Sequence, residues 1–143
     1  MIGIDTNILV YAHRSDMSFH SKADQFLSDL INDSTSIAIP YPCLSEFLSI
    51  VTNPKIFKIP SPREIALQEL ENFLTLPNVY CIGELTGYFS LYKEISIKAK
   101  ISGGEFHDAR IAAICIQHEI KVFYSADRDF NRFPKLKIKN PLI

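Results

Sequence analysis

Cysteine is scarce in this chain of 143 residues. The three that occur, Cys43, Cys81 and Cys115, are odd in number, far apart and never arranged as C-x-x-C. That spacing argues against both a zinc site and a disulfide framework. Each lies in an apolar context and reads as a small buried hydrophobe, which suits a reducing cytoplasm. Long apolar runs are missing too. None approaches the ~20 residues needed to cross a bilayer, so no membrane association is expected. The first residues lack a basic segment, and Asp5 interrupts their apolar run, which argues against a signal peptide. There is no G-x-x-x-x-G-K-[ST] and no G-x-G-x-x-G, and the lone Gly103-Gly104 pair is too little to suggest a nucleotide loop. No G-x-S-x-G nucleophile elbow is present. The four histidines, His13, His20, His107 and His118, have no metal-ligand spacing. Internal repeats and low-complexity segments are absent.

What remains is an ordinary globular composition, 47% hydrophobic and 22% charged, in a length that suits one domain over residues 1–143. The net charge of −1 is unevenly spread. Residues 1–97 hold 6 Lys/Arg against 11 Asp/Glu, and residues 98–143 hold 9 against 5. A basic last third suits a phosphate backbone, or is simply solvated surface.

Along the chain, short apolar runs alternate with segments of helical periodicity. Ile2 to Ile4 reads as a buried strand and Asn7 to Ala12 as the start of a helix. Phe19 to Leu30 is helical, with Ala23, Phe26, Leu27 and Leu30 in phase. Ser36 to Ile39 is a strand. Pro42 suits the first turn of a helix carrying Leu44, Phe47, Leu48 and Val51. Another helix starts at Ser61 or Pro62, with Ile65, Ala66, Leu70, Phe73 and Leu74 on one face. Val79 to Ile82 is a strand. Leu85 to Ile97 is helical, with Leu85, Phe89, Tyr92 and Ile95 periodic. Asp108 to His118 forms an apolar helix, Lys121 to Ser125 a strand, and Leu136 to Ile138 a weak last strand. Such alternation implies an α/β fold, a central parallel sheet covered on both faces.

Within this pattern the acids recur in one kind of place. Asp5 follows the first strand, Glu46 lies a turn into the helix after the second, Asp108 opens its helix, and Asp127 and Asp129 follow the strand ending at Ser125. Each has a local explanation. Asp5 or Thr6 caps a helix, Asp108 does the same, Glu46 is a solvated residue near a helix N-terminus, and Asp127 and Asp129 suit turns. Together they fall at the carboxyl edge of a parallel sheet, where ligands bind. Carboxylates crowded in one crevice repel unless a cation neutralises them. Mg²⁺ or Mn²⁺ is the natural partner, and such ions serve phosphoryl chemistry. Asn7 and Ser125 are placed to orient a carboxylate, a metal water or a phosphate. His107, beside Asp108, reads as structural or substrate-side. An aspartyl-phosphate hydrolase would carry D-x-D-x-T, and Asn7 stands where its second acid belongs.

The segments Asp5-Thr6-Asn7, Ser45-Glu46-Phe47, His107-Asp108-Ala109 and Ser125-Ala126-Asp127-Arg128-Asp129-Phe130 resemble, in order and spacing, the motifs of PIN-domain ribonucleases. Ile50-Val51-Thr52-Asn53-Pro54 and Arg132-Phe133-Pro134 resemble the VapC-type toxins among them. The resemblance runs nearly end to end. It implies an α/β/α sandwich and metal-dependent endoribonuclease cleavage, often of tRNA or ribosomal RNA; in-line attack by a metal-positioned water is expected to leave 5′-phosphate and 3′-hydroxyl ends. Asp5, Glu46, Asp108 and Asp127 match the family's acidic positions, and the pattern allows Asp129 as a further metal ligand. Thr6, Asn7 and Ser125 match supporting positions, Ser125 standing where Thr is commoner. A homodimer and a small VapB-like antitoxin, filling the acidic groove with a segment that often carries an Arg, are implied as partners. Arg110, Arg128, Arg132, Lys55 and Lys58 are candidates for the RNA backbone, and Arg128 or Arg132 could instead pair with the acids. Three alternatives stay open: a PIN nuclease of RNA processing or DNA repair, a Mg²⁺-dependent phosphatase, and a non-catalytic RNA- or protein-binding module.

Overall fold

A computed structural model describes all residues, 1–143. Five parallel strands form its centre: β1 (Ile2–Ile4), β2 (Ile37–Pro40), β3 (Val79–Ile82), β4 (Phe123–Tyr124) and β5 (Ile138–Lys139), in the order β3-β2-β1-β4-β5. Six α-helices accompany them: α1 (Thr6–His13), α2 (His20–Asn32), α3 (Tyr41–Val51), α4 (Arg63–Leu74), α5 (Tyr88–Ala99) and α6 (Glu105–Gln117). A 3₁₀ turn, Arg128–Arg132, follows β4. This is the α/β/α arrangement that the alternating pattern implies. The strands are short and apolar because both faces are covered. Ile37, Ala38 and Ile39 are wholly buried in β2, as are Ile4 in β1 and Phe123 in β4.

β1 occupies the middle of the sheet, and the strand order reverses about it: β2 and then β3 lie on one side, β4 and β5 on the other. Ligands bind at the carboxyl ends of strands at such a switch point. The register sets the site. Gly3 N–H donates to the Val122 carbonyl at 2.9 Å, and Asp5 N–H to the Tyr124 carbonyl at 3.0 Å. Asp5 therefore leaves the sheet level with Ser125. Gly3 lets the strands close: a Cβ there would sit 2.8 Å from the Phe123 ring and 3.2 Å from Ile120.

One core of 30 buried apolar residues joins both layers. Helix α6 contributes Ala109, Ile111, Ala112, Ala113, Ile114 and Cys115 to it. Helix α1 is tied to the α3–α4 connection by polar groups. His13 bonds Glu69 on one ring nitrogen and the Ser61 hydroxyl, 2.8 Å away, on the other. The Arg14 guanidinium chelates Asp16 and lies 4.0 Å above the centre of the Phe57 ring. An open, largely apolar groove of about 190 Å³ runs between α1, α2, α3 and α4, lined by Leu9, Leu27, Phe47, Leu70 and Phe73 among others.

Some details depart from the sequence expectation. Helix α6 begins at Glu105, with Gly104 at its N-cap, so Asp108 stands a turn inside the helix instead of capping it. The Glu105 side chain fixes this start by accepting from Ser102 N–H at 3.1 Å. Helix α5 begins at Tyr88, so Leu85 lies outside it, and Phe89 is 69% exposed. Ile65 is also exposed. Periodicity finds the apolar positions of a helix but not how far a neighbour covers them, and these three stay 48–69% exposed.

Candidate active site

The carboxyl edge of the sheet gathers the predicted acids. Asp5 closes β1 and caps α1, its Oδ1 accepting from Thr6 N–H at 2.7 Å. Oδ2 accepts from the Ser125 hydroxyl at 2.6 Å and from Asn7 Nδ2 at 3.2 Å. The cap and the functional reading of Asp5 are thus compatible. Asn7 bridges further: its Oδ1 accepts from Ala126 N–H at 3.2 Å, and its Nδ2 lies 3.4 Å from Ser125 Oγ. Ser125 Oγ in turn accepts from Asp127 N–H at 2.9 Å. Thr6, the first residue of α1, donates its hydroxyl to Glu46 Oε2 at 2.8 Å and so holds the α3 carboxylate against α1. Cys43, read from sequence as an apolar filler, is indeed buried, and its thiol also faces Asp5 Oδ1 at 3.9 Å.

Asp108, Asp127 and Asp129 bring carboxylate oxygens within 4.8 Å of one another. Asp127 caps the 3₁₀ turn by accepting from Asp129 N–H at 2.9 Å, which turns both acids toward one place. Asp5 lies deeper, only 4% exposed. Burial raises its carboxyl to about 7, against the hydrogen bonds from Ser125 and Thr6, with repulsion from Glu46 and Asp127 adding to the rise. Asp108 is raised to about 6, first by burial and then by Asp127, Glu46 and Asp129. Glu46 and Asp127 thus press on both acids, and the five form one electrostatic unit.

That unit fits a divalent cation. Its donors are hard oxygens, and its charge is held together without enough cations of its own. Opposite ligands of Mg²⁺ stand about 4.2 Å apart, from bonds of ~2.1 Å. The three surface carboxylates already lie near that span. Asp129, which the resemblance only allows as a further ligand, is one of those three, whereas Asp5 lies deeper and Glu46 is held against α1 by Thr6.

The basic candidates divide. Arg132 pairs with Glu105 and, at 3.4 Å, with Asp129, so it is a partner of the acids. Arg110 pairs with Glu84 at 3.0 Å. With Ser45, Glu46, Ser49 and His107 it also lines an open polar concavity of about 570 Å³ between α3 and α6. Arg128, Lys55 and Lys58 are exposed and form no ion pair, free to meet an anion. Glu84 and Glu105 carried no sequence signal, because their partners come from separate elements.

The PIN-domain family model matches residues 2–136. The chain is a PIN-domain protein. Among curated relatives, it is 32% identical over 143 residues to ribonuclease VapC31 of Mycobacterium tuberculosis, covering 99% of this chain and all of the relative. It is 30% identical over 142 residues to ribonuclease VapC43 of the same organism, covering 99% and 96%. Within the PIN family it therefore groups with the VapC ribonucleases. Among solved structures, VapBC2 from Rickettsia felis, bound to a promoter DNA fragment, superposes with a TM-score of 0.72 at 24% identity over 98% of both chains. FitAcB from Neisseria gonorrhoeae gives 0.71 at 21% identity, over 99% of this chain and 98% of that one. Both share the PIN fold seen here. No helix is long and apolar enough to cross a membrane.

Proposed function

We propose that this PIN-domain protein is a Mg²⁺- or Mn²⁺-dependent endoribonuclease and the toxin of a toxin–antitoxin pair. The observation that carries the reading is the convergence of Asp5, Glu46, Asp108, Asp127 and Asp129 from four separate stretches of chain, with two of the acids raised by burial and mutual repulsion. Asp108, Asp127 and Asp129 would hold the cation directly, with Asp5 behind them and Glu46 fixed nearby by Thr6. When bound, the ion would activate water and stabilise the leaving oxygen of a phosphodiester. Ser125 and Asn7 keep the Asp5 carboxylate fixed, and Thr6 fixes Glu46. Arg128, Lys55 and Lys58 neutralise substrate phosphates. In-line attack by water leaves 5′-phosphate and 3′-hydroxyl ends, whereas attack by the RNA 2′-hydroxyl would leave cyclic phosphate. The substrate class is tRNA or ribosomal RNA. A protein of similar fold, VapC20 of Mycobacterium tuberculosis, is a sarcin-ricin loop cleaving toxin, and a structured RNA of that kind suits the site proposed for this chain.

A small VapB-like antitoxin would hold the enzyme inactive by laying a basic segment over the acids, and the active form is a homodimer in the cytoplasm. The open groove between α1, α2, α3 and α4, apolar at its floor, offers such a partner a place to seat an apolar side chain. The deciding experiment incubates the antitoxin-free protein with a tRNA and rRNA pool, with Mg²⁺ or Mn²⁺, with chelator, and as Asp5→Asn. Discrete cuts that need the metal and vanish in Asp5→Asn are expected. Cyclic phosphate ends would overturn the mechanism. Turnover of small phosphate esters without RNA cleavage would favour a phosphatase.

A further inference from the structure

A third concave surface lies on the outer face of α5, where it meets the start of α6. Phe89, Tyr92, Ser96, Ile97 and Phe106 line it, with Lys93 and Lys100, around an open volume of about 290 Å³. Phe89 and Ile97 are 69% and 66% exposed, among the most exposed large apolar side chains of the chain. The Tyr92 ring is central. Its centre lies 6.3 Å from that of Phe89 and 6.0 Å from that of Phe106, and its hydroxyl donates to the Phe106 carbonyl at 3.2 Å. No acid lines the concavity, and Lys93 and Lys100 form no ion pair, whereas Glu94 on the same helix is engaged by Lys135 at 3.6 Å. The floor carries an independent sign of a missing partner. Ser96 is only 7% exposed, and its hydroxyl is the one buried side-chain polar atom of the chain with no hydrogen-bond partner. A buried polar group left unmatched is costly, and a turn of the Ser96 hydroxyl toward the concavity that its residue lines would let a ligand atom satisfy it.

Exposed aromatic faces with unpaired cations beside them form the combination that binds single-stranded nucleic acid: rings stack bases and lysines meet phosphates. We propose that this surface is an accessory RNA subsite in which a flipped-out or single-stranded base of the substrate stacks on Phe89 or Phe106, Ser96 meets its polar edge, and Lys93 and Lys100 hold the flanking phosphates. The inference rests on the ribonuclease reading above. Phe106 precedes Asp108 by two residues on α6, about 200° around the helix, so the subsite lies roughly one helix width from the acids. An RNA single strand running over the N-terminus of α6 reaches both. The subsite would therefore select RNA with an unpaired nucleotide at a set distance from the cut.

The test uses the full-length protein in chelator, so that nothing is cut, and a short oligouridylate carrying one 4-thiouridine. Binding is followed by fluorescence anisotropy, and the photo-crosslink is mapped by mass spectrometry. The expected adduct lies on the peptide carrying Phe89 and Tyr92 or on that carrying Phe106. Phe89→Ala and Phe106→Ala should each weaken binding by about 5- to 100-fold. Lys93→Gln should weaken it while flattening its salt dependence by about one contact. Both rings are exposed, so their removal should leave the circular dichroism unchanged. Crosslinks confined to other peptides, with unchanged affinity in the ring variants, would overturn the subsite. So would a change in oligomeric state on sedimentation of Phe89→Ala without a change in RNA binding, which would assign the face to a second copy of the chain. Absence of binding by the wild type would also overturn it. Metal-dependent cleavage by the same preparation then tells whether the nuclease reading fails as well, since that assay does not require the subsite.

Discussion

The Ser125 hydroxyl donates to Asp5 Oδ2 at 2.6 Å, a bond between residues 120 apart in sequence. Both lie at the ends of neighbouring central strands, and Ser125 is 1% exposed. Removing the hydroxyl withdraws the strongest bond holding the Asp5 carboxylate in its charged form. Ser125→Ala should raise the Asp5 carboxyl further, weaken divalent-cation binding and lower cleavage by about 10-fold or more. It should also cost roughly 1–3 kcal/mol of stability for the groups left unmatched. Ser125→Thr keeps the hydroxyl and should retain most of the activity. Calorimetric metal titration and a cleavage assay on both variants separate the two outcomes, and equal loss in Thr and Ala would show that the hydroxyl is not what matters.

The raised carboxyls make stability depend on pH in a definite direction. Asp5 titrates at about 7 when folded and near 3.8 when unfolded. Between those values the folded state binds more protons, so the metal-free protein should become less stable as pH rises from about 4 to about 7, and level off above that. Asp108, raised to about 6, adds in the same sense over a narrower window. The fully developed effect of Asp5 is on the order of 4 kcal/mol as an upper bound. Thermal melts in chelator across this range would check it. Asp5→Asn should flatten the slope, and a melting temperature that rises with pH would contradict the assignment.

Cation binding should run the other way. The ligands must lose their protons to bind, so the stabilisation given by Mg²⁺ or Mn²⁺ should grow as pH rises through 6 to 7. Melting shifts at fixed metal concentration and several pH values measure this directly. A shift independent of pH would mean that the ion binds away from Asp5 and Asp108.

Arg132 offers a separable test, because it pairs with Glu105 and Asp129 at once. Arg132→Ala removes a cation from beside the acid cluster. Metal should then bind several-fold more tightly by Coulomb attraction, with KM for RNA nearly unchanged if Arg132 serves the acids. A large rise in KM with unaltered metal affinity would return Arg132 to the RNA.

Gly3→Ala should destabilise the chain by about 1–3 kcal/mol through overpacking, because the added methyl meets the fully buried Phe123 ring at 2.8 Å. A chemical denaturation curve would detect it, and a neutral effect would mean that β4 shifts freely.

Much of this arrangement is legible in the chain itself. Ile2 to Ile4 and Val79 to Ile82 are read as strands because short apolar runs end in turn residues. Asp5, Glu46 and Asp127 fall at one edge because the parallel strands that precede them all end there. What is not legible depends on neighbours. Phe89 and Ile65 sit in helical phase yet face outward, since phase does not say what lies opposite. The start of α6 is missed by a turn because Glu105, reaching back to Ser102, resembles any other surface acid. The pairing of Arg110 with Glu84 and the Thr6–Glu46 bond join separate elements, and no local pattern announces such bonds. The nearness of Asp108, Asp127 and Asp129 follows from a 3₁₀ turn whose geometry a run of Ser-Ala-Asp-Arg-Asp only hints at.

The central strand is made well before the neighbour that completes it. β1 leaves the ribosome with Asp5 at its end, but the hydroxyl of Ser125, at the end of its neighbour β4, follows only 120 residues later. Contacts so distant in sequence are slow to form. A message that breaks or stalls before that point yields a polypeptide with an orphaned Asp5, no Asp127 and no Asp129. The assembled acid cluster therefore exists only in molecules whose translation has passed Asp129.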